Sequence, residues 1–465
     1  MISGDRDIVT PTRDAKLVAK ETAGKLLRLP HAAHGPYGRW PVETNLAIHD
    51  FVSGGRRRRD PTVHHSDGRR RALYVSSPIG LGHARRDVAI AKELRKLAPD
   101  LEVDWLAQDP VTRVLEAEGE RIHPASEQLA NECVHLESES GEHDLHCFHA
   151  YRRMDELFVA NFMVFHDVVE REHYDLWICD EGWEVDHFLH ENPKLKRAPF
   201  VWMSDFAGFL PMEDGGEQEA LLTADYNAER IEHVEGLPEI RDRSLFVGNP
   251  DDVVDARFGP DLPVIRDWAE RHFDFTGYVT GFEPVGDREA LRAELGYTDD
   301  ERVCIVTVGG SGVGEHLLRK VMAAYPEAKR RVPELRMIVV AGPRIEPASL
   351  PQTDGLEVRA YVHDLYRHLA ACDLAVVQGG LTTAMELTAN SRSFLYFPLK
   401  HHFEQNFHVR HRLERYRAGR RMDFDDSPPE TIAAAIAEEI GREVDYLPVE
   451  TDGASRAAER IAELL

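Results

Sequence analysis

Short apolar runs and longer amphipathic stretches alternate along this chain from Arg71 onward, the pattern of parallel strands covered by helices on both faces. LYVSS predicts a strand, PIGLGH a glycine-rich turn, and Val88, Ala91, Leu94 and Ala98 fall near one face of a helix over 84–98. LEVDWLA, DLWICD, PFVWMSD and SLFVG continue the series as strands up to Gly248. FTGYVTGFEPVG, over 275–286, reads as a glycine- and proline-marked crossing. A second alternation follows in VCIVTVGG, RMIVVAG, LEVRAYV, LAVVQGG and SFLYFPL, with helices expected over 429–441 and 453–465. The fold class is α/β, with two Rossmann-like, doubly wound halves facing a central cleft. The boundaries are a poorly ordered extension over 1–70, a first domain over 71–280, a second over 281–440, and a C-terminal helical segment over 441–465 that packs on the body.

The second half carries the most chemistry. In QGGLTTAME the Leu374–Val377 run ends at Gly379 and Gly380, and Thr382 and Thr383 open a helix whose N-terminus suits an anion. Glu386 lies about 6–9 Å farther along the helix, the separation between a diphosphate and the hydroxyls of its ribose. Glu404, Gln405 and Asn406 follow the next strand and can hydrogen-bond sugar hydroxyls, with His402 beside them as a contact to the sugar or the diphosphate. In the first half His83 stands at a helix start beside Arg85 and Arg86, which predicts a neutral imidazole able to act as a base.

Composition narrows the partners. A net charge of -26 from 82 acidic and 56 basic residues excludes a nucleic-acid-binding surface. Five cysteines without a CxxC motif fit a reduced cytoplasmic protein, and no run is long enough to span a membrane. Arg56–Arg59 and Arg69–Arg71 bracket a polar stretch that reads as a solvated tail, the alternative being contact with anionic lipid. The apolar segment 157–169 is expected as a buried helix. The cluster of His143, His146, Cys147 and His149 lacks a recognised zinc-finger spacing, so no metal site is assigned.

GLGHARR, GGSGVG, and QGGLTTAME followed by FPLKHHFEQN together resemble the GT-B glycosyltransferases, in the branch of the lipid II N-acetylglucosaminyltransferase and the UDP-dependent glycosyltransferases (family 28/1-like). The resemblance covers about 71–440 and implies a UDP-sugar held by the second half, a hydroxyl acceptor held by the first, and inverting transfer without metal or cofactor. By matching position it implies that Gly379, Gly380, Thr382 and Thr383 cradle the diphosphate, Glu386 holds the ribose, and Glu404 and Gln405 grip the sugar. Gly310, Ser311 and Gly312 would approach the phosphates, and Tyr361 and Val362 would read the base. His83 would be the base and Asp180 its orienting acid, with Glu181 as rival. Where the family often has histidine, this chain has Gln378. The lipid-using relatives imply a peripheral contact at the inner membrane face. A nucleotide-sugar hydrolase of the same fold, or a non-catalytic nucleotide-sugar-binding protein, are the alternatives.

Overall fold

The computed structural model describes residues 1–53, 68–280, 285–310 and 312–465. Arg56–Arg59 and Ser311 therefore lie outside the described residues. The first 53 residues differ from the expected loose extension: β1 (Ile2–Gly4) pairs in parallel with β2 (Leu27–Leu29), and helices span Thr12–Glu21 and Pro41–Val52. Ala15, Ala19, Leu29 and Val42 are buried there, enough apolar contact to order a small unit.

The first domain is a seven-stranded parallel sheet. Its strands are β3 (Arg71–Ser76), β4 (Glu102–Leu106), β5 (Arg121–Ile122), β6 (Leu176–Asp180), β7 (Phe200–Ser204), β8 (Arg243–Val247) and β9 (Asp274–Gly277), in the order β5-β4-β3-β6-β7-β8-β9. The segment read as a crossing thus begins as edge strand β9, because pairing to β8 satisfies backbone groups that a bare crossing would leave open. The second domain is a six-stranded parallel sheet of β10 (Arg302–Thr307), β11 (Leu335–Val340), β12 (Glu357–Arg359), β13 (Leu374–Val377), β14 (Phe394–Tyr396) and β15 (Arg420–Arg421), ordered β12-β11-β10-β13-β14-β15. Strand residues such as Leu73, Tyr74, Ile178, Val306 and Val376 are fully buried, as strands covered on both faces require.

In each sheet the winding reverses once, between β3 and β6 and between β10 and β13. Loops leaving such neighbours in opposite directions open a crevice at the carboxyl ends of the strands. The Gly80 turn follows β3 and Asp180 ends β6; Gly309 and Gly310 follow β10, and Gln378 to Gly380 follow β13. The halves meet at these crevices. A Cβ on Gly82 would sit 2.1 Å from Thr382 Oγ1, and one on Gly310 2.8 Å from Leu81 Cγ. The Tyr278 hydroxyl donates to the Thr382 carbonyl at 3.1 Å. Beyond the second sheet the chain returns, and the Gly453–Ala462 helix packs on the Leu81–Leu97 helix of the first domain with Ala457, Ala458 and Ile461 buried. The Asp155–Arg171 helix buries Phe158, Phe162, Phe165 and Val168 in the first domain. Among the described residues no helix is long and apolar enough to cross a membrane.

Gly82→Val should wedge the halves apart, since the added side chain has no space beside Thr382, at a cost of about 1–3 kcal/mol to the closed arrangement. Small-angle scattering should show a larger radius of gyration with an unchanged circular dichroism spectrum; identical scattering would refute the close contact.

Candidate functional site

The Leu81–Leu97 helix and the Leu381–Ala389 helix both begin at a glycine, Gly80 or Gly380, and neither has a side-chain cap. Their first-turn N–H groups are therefore left to bind whatever enters between them. Gly80 takes φ of 98°, a value that L side chains resist, which lets the chain turn from β3 straight into the helix. Two adjoining cavities flank the point where the helices meet and share Gly82, Thr307, Gly309, Gly310, Thr382 and Thr383 as walls.

One cavity is further lined by Tyr361, Val362, Arg85 and Glu386. Glu386 is buried and burial raises its pKa to about 7, with Arg85 opposing; its Oε1 has no hydrogen-bond partner among the described residues. A buried carboxylate oxygen left open in this way calls for a donor from a ligand. The other cavity is lined by His83, Glu181, Gln378, His402, Glu404 and Gln405. The Gln378 Nε2 and His402 Nδ1 are buried with no hydrogen-bond partner among the described residues, and burial lowers the His402 pKa to about 4. Burial, reinforced by Asp205, raises Glu404 to about 8. Gln405 Oε1 accepts from the Leu399 N–H at 2.8 Å, which fixes the amide and leaves its NH2 end for a ligand. Glu404 to Val409 form a π-helical turn, a wider winding often found at functional sites.

His83 is held from behind. Its Nδ1 lies 3.0 Å from Asp180 Oδ2 and 2.8 Å from Arg86 Nη2. Arg86 in turn donates to Asp180 through Nε at 2.7 Å and Nη2 at 2.6 Å, and pairs through Nη1 with Asp205. Asp180 is fully buried, so it touches the cavity only through His83. Burial would raise the Asp180 pKa, but Arg86 and then His83 outweigh it and hold the group ionised. For His83, burial and Arg86 favour the neutral form, yet Asp180 and Glu181 prevail and its pKa is raised. This corrects the expectation of a neutral imidazole from the helix end and the guanidiniums: the carboxylates that close around the ring after folding are nearer and more numerous. Glu181 occupies the left-handed region at φ of 50° and receives the Ser204 hydroxyl at 3.0 Å; burial and Asp205 raise its pKa to about 8. Asp180, rather than its rival Glu181, is the carboxylate on the ring.

The structure gathers His83, Asp180, Gly310, Tyr361, Val362, Gly380, Thr382, Thr383, Glu386, His402, Glu404 and Gln405 about these cavities. Gly379 supports the turn between Gln378 and Gly380 with φ of 102°. Gly312 sits elsewhere: a Cβ there would meet Glu137 at 2.4 Å, at a contact between the halves that Glu137 and Arg344 close. Asn406 also turns away, donating to the Leu399 carbonyl at 2.8 Å and the His402 carbonyl at 3.0 Å. Arg86 as the shared cation and Asp205 as its second partner were not assigned from the sequence, although Asp205 ends PFVWMSD just as Asp180 ends DLWICD. His83, Asp180 and Glu181 could gather about a metal ion, but Arg86 already supplies the positive charge there.

Residues 303–464 match the model of the glycosyltransferase family 28 C-terminal domain. An uncharacterized glycosyltransferase of Methanopyrus kandleri is 27% identical over 176 residues, 38% of this chain and 49% of that protein. A UDP-N-acetylglucosamine–N-acetylmuramyl-(pentapeptide) pyrophosphoryl-undecaprenol N-acetylglucosamine transferase of Alkaliphilus oremlandii is 28% identical over 115 residues, 23% of this chain and 31% of that protein. The matched stretches thus span about half or less of these curated relatives. Among solved structures, the spinosyn rhamnosyltransferase SpnG in complex with spinosyn aglycone aligns with a TM-score of 0.52 at 18% identity, covering 85% of this chain and 95% of that one. The architecture is that of the GT-B glycosyltransferases. Over 303–464 the chain is similar to the glycosyltransferase family 28 C-terminal domain, set in a two-domain fold of the GT-B class.

Glu181 and Glu404 bind protons in the folded protein that they have lost when unfolded near neutral pH, so they lower stability as pH rises from about 4.5 toward about 8. The slope is up to about 1.4 kcal/mol per pH unit for one such group. Glu404→Gln mimics the protonated form and should flatten the fall in melting temperature between pH 5 and 8; an unchanged slope would show that Glu404 is ionised in the fold.

Proposed function

We propose that the protein transfers a hexose or N-acetylhexosamine from a UDP-sugar to a hydroxyl acceptor, with inversion at the anomeric carbon. The observation that carries this reading is the placement of the His83–Asp180 pair in the same cleft as the two uncapped helix starts and the open polar atoms of Glu386, Gln378 and His402. The diphosphate would lie where the helices meet, the ribose against Glu386, the base by Tyr361 and Val362, and the sugar among Gln378, His402, Glu404 and Gln405. The Alkaliphilus relative's name specifies a UDP-sugar, whereas SpnG has been solved with thymidine diphosphate, which together favour a pyrimidine nucleotide.

With Nδ1–H directed at Asp180, Nε2 of His83 accepts the proton of the acceptor hydroxyl. The acceptor oxygen bonds the anomeric carbon as the bond from that carbon to the diphosphate oxygen breaks, and the departing electron pair stays on the diphosphate. The helix N-termini would meet that growing charge in the place of a metal ion. Ile79, Leu136, Leu145 and Tyr151 line the first-domain side of the cavity and favour an acceptor with an apolar body. The five cysteines are free and buried, which supports a cytoplasmic setting. Exposed Ile48, Phe51 and Val52, just ahead of the arginine run in sequence, support a peripheral membrane contact.

With purified protein and a panel of UDP-sugars and acceptors, His83→Ala should lower kcat by about 10²–10⁴. Because Asp180 raises the basicity of His83, the acidic limb of kcat/KM should lie above the ordinary histidine range and move down in Asp180→Asn. Glu386→Ala should weaken donor binding about 10- to 150-fold, the loss of a hydrogen bond to a charged group. Full turnover in His83→Ala would refute the base assignment, and release of UDP at the same rate without acceptor would establish hydrolysis instead.

A further inference from the structure

Away from the cleft, three side chains converge on one point. His146 and His149, at the start of the Cys147–Arg152 helix, bring their ring centroids within 3.8 Å. Both direct Nε2 at Glu219 Oε2, from the Gly216–Gly236 helix, at 3.1 Å from His146 and 3.9 Å from His149. One ligand atom from each residue lies within 4.8 Å of the other two. Glu219 is buried and its other oxygen accepts the Met212 N–H at 2.8 Å, so the carboxylate is fixed in place. The His149 Nε2 and His146 Nδ1 are buried with no hydrogen-bond partner among the described residues.

A hydrogen bond between His146 and Glu219 accounts for one imidazole and leaves the second unexplained. Two rings packed this closely resist carrying two positive charges, which leaves a lone pair available to an ion. Two neutral imidazoles and a carboxylate are a ligand set for a borderline transition-metal dication, which binds such atoms at about 2.0–2.2 Å. Tetrahedral ligands at that radius are separated by roughly 3.3 Å, so the observed 3.1 and 3.9 Å need only side-chain rotation to close on an ion.

We propose that His146, His149 and Glu219 bind one zinc-type dication, with water as fourth ligand, bracing the part of the first domain on which His401 of the second domain rests. The His146 ring stacks on His401 at 5.4 Å, and the Cys147 N–H donates to the His401 carbonyl at 3.3 Å. His401 is itself anchored to Asp144 and Asp214 at 2.7 Å each. An ion that fixes His146 therefore fixes the seat of the loop bearing His402 and Glu404. The ion lies outside the chemistry proposed for the cleft, and its binding does not depend on that reading.

The full chain, stripped with chelator, would be titrated with Zn2+ against a chromophoric competitor. One equivalent should bind and raise the melting temperature, and Co2+ in its place should give the visible absorption of a four-coordinate site. His149→Ala, at a partly exposed ring, should keep the fold by circular dichroism and weaken Zn2+ binding by at least about 10- to 100-fold. Glu219→Gln, which retains an acceptor for Met212, should weaken it comparably. Absence of a stoichiometric equivalent, or unchanged affinity in both variants, would overturn the proposal.

Discussion

The guanidinium of Arg86 is the point on which the arrangement turns. It is buried, and it ties Asp180 at the end of β6 to Asp205 just beyond β7 while standing beside His83 on its own helix. Three elements are thereby locked at one depth below the cleft. Removing one member of such a group leaves an uncompensated buried charge, at about 3–5 kcal/mol. The arrangement also divides the acids: Asp180 and Asp205 have depressed pKa values because Arg86 outweighs their burial, whereas Glu181 and Glu404, without so close a cation, are raised to about 8. Arg86 thus holds two carboxyl groups ionised, while burial and the charge on Asp205 favour the protonated form of two others in the same site.

The second domain is arranged on a different principle. Its cavity-lining groups include buried polar atoms without a hydrogen-bond partner among the described residues, the Glu386 Oε1, Gln378 Nε2 and His402 Nδ1, beside a helix start that has no side-chain cap. Such groups are costly in an empty protein and favourable once a hydroxyl or phosphate reaches them. Gln378 bears on this directly. The resemblance often sets a histidine there, yet the amide is buried with its Nε2 unpartnered among the described residues, a donor in its own right.

Much of this was legible in the chain. Strand runs ending in glycine gave both crevices, and the spacing of Glu386 from Gly380 placed it in the wall of the cavity at that helix start because a helix converts sequence distance into length. What escaped depends on three-dimensional neighbours. The charge state of His83 could not be read from its local arginines, since Asp180 and Glu181 arrive from another strand. Gly312 and Asn406 sit in motifs that look ligand-facing, but one is occupied by the opposite domain and the other by its own turn. The order in residues 1–53 was hidden by composition, because a few small buried residues and two short paired strands leave little periodic signal.

The Gly453–Ala462 helix carries a consequence for how the molecule is made. Its alanines and Ile461 complete the apolar cover over the Leu81–Leu97 helix, although they are translated after every strand of both sheets. During synthesis the earliest domain to emerge therefore waits with a bare flank until the last of these segments leaves the ribosome, and the later domain has all its strands before its predecessor is sealed.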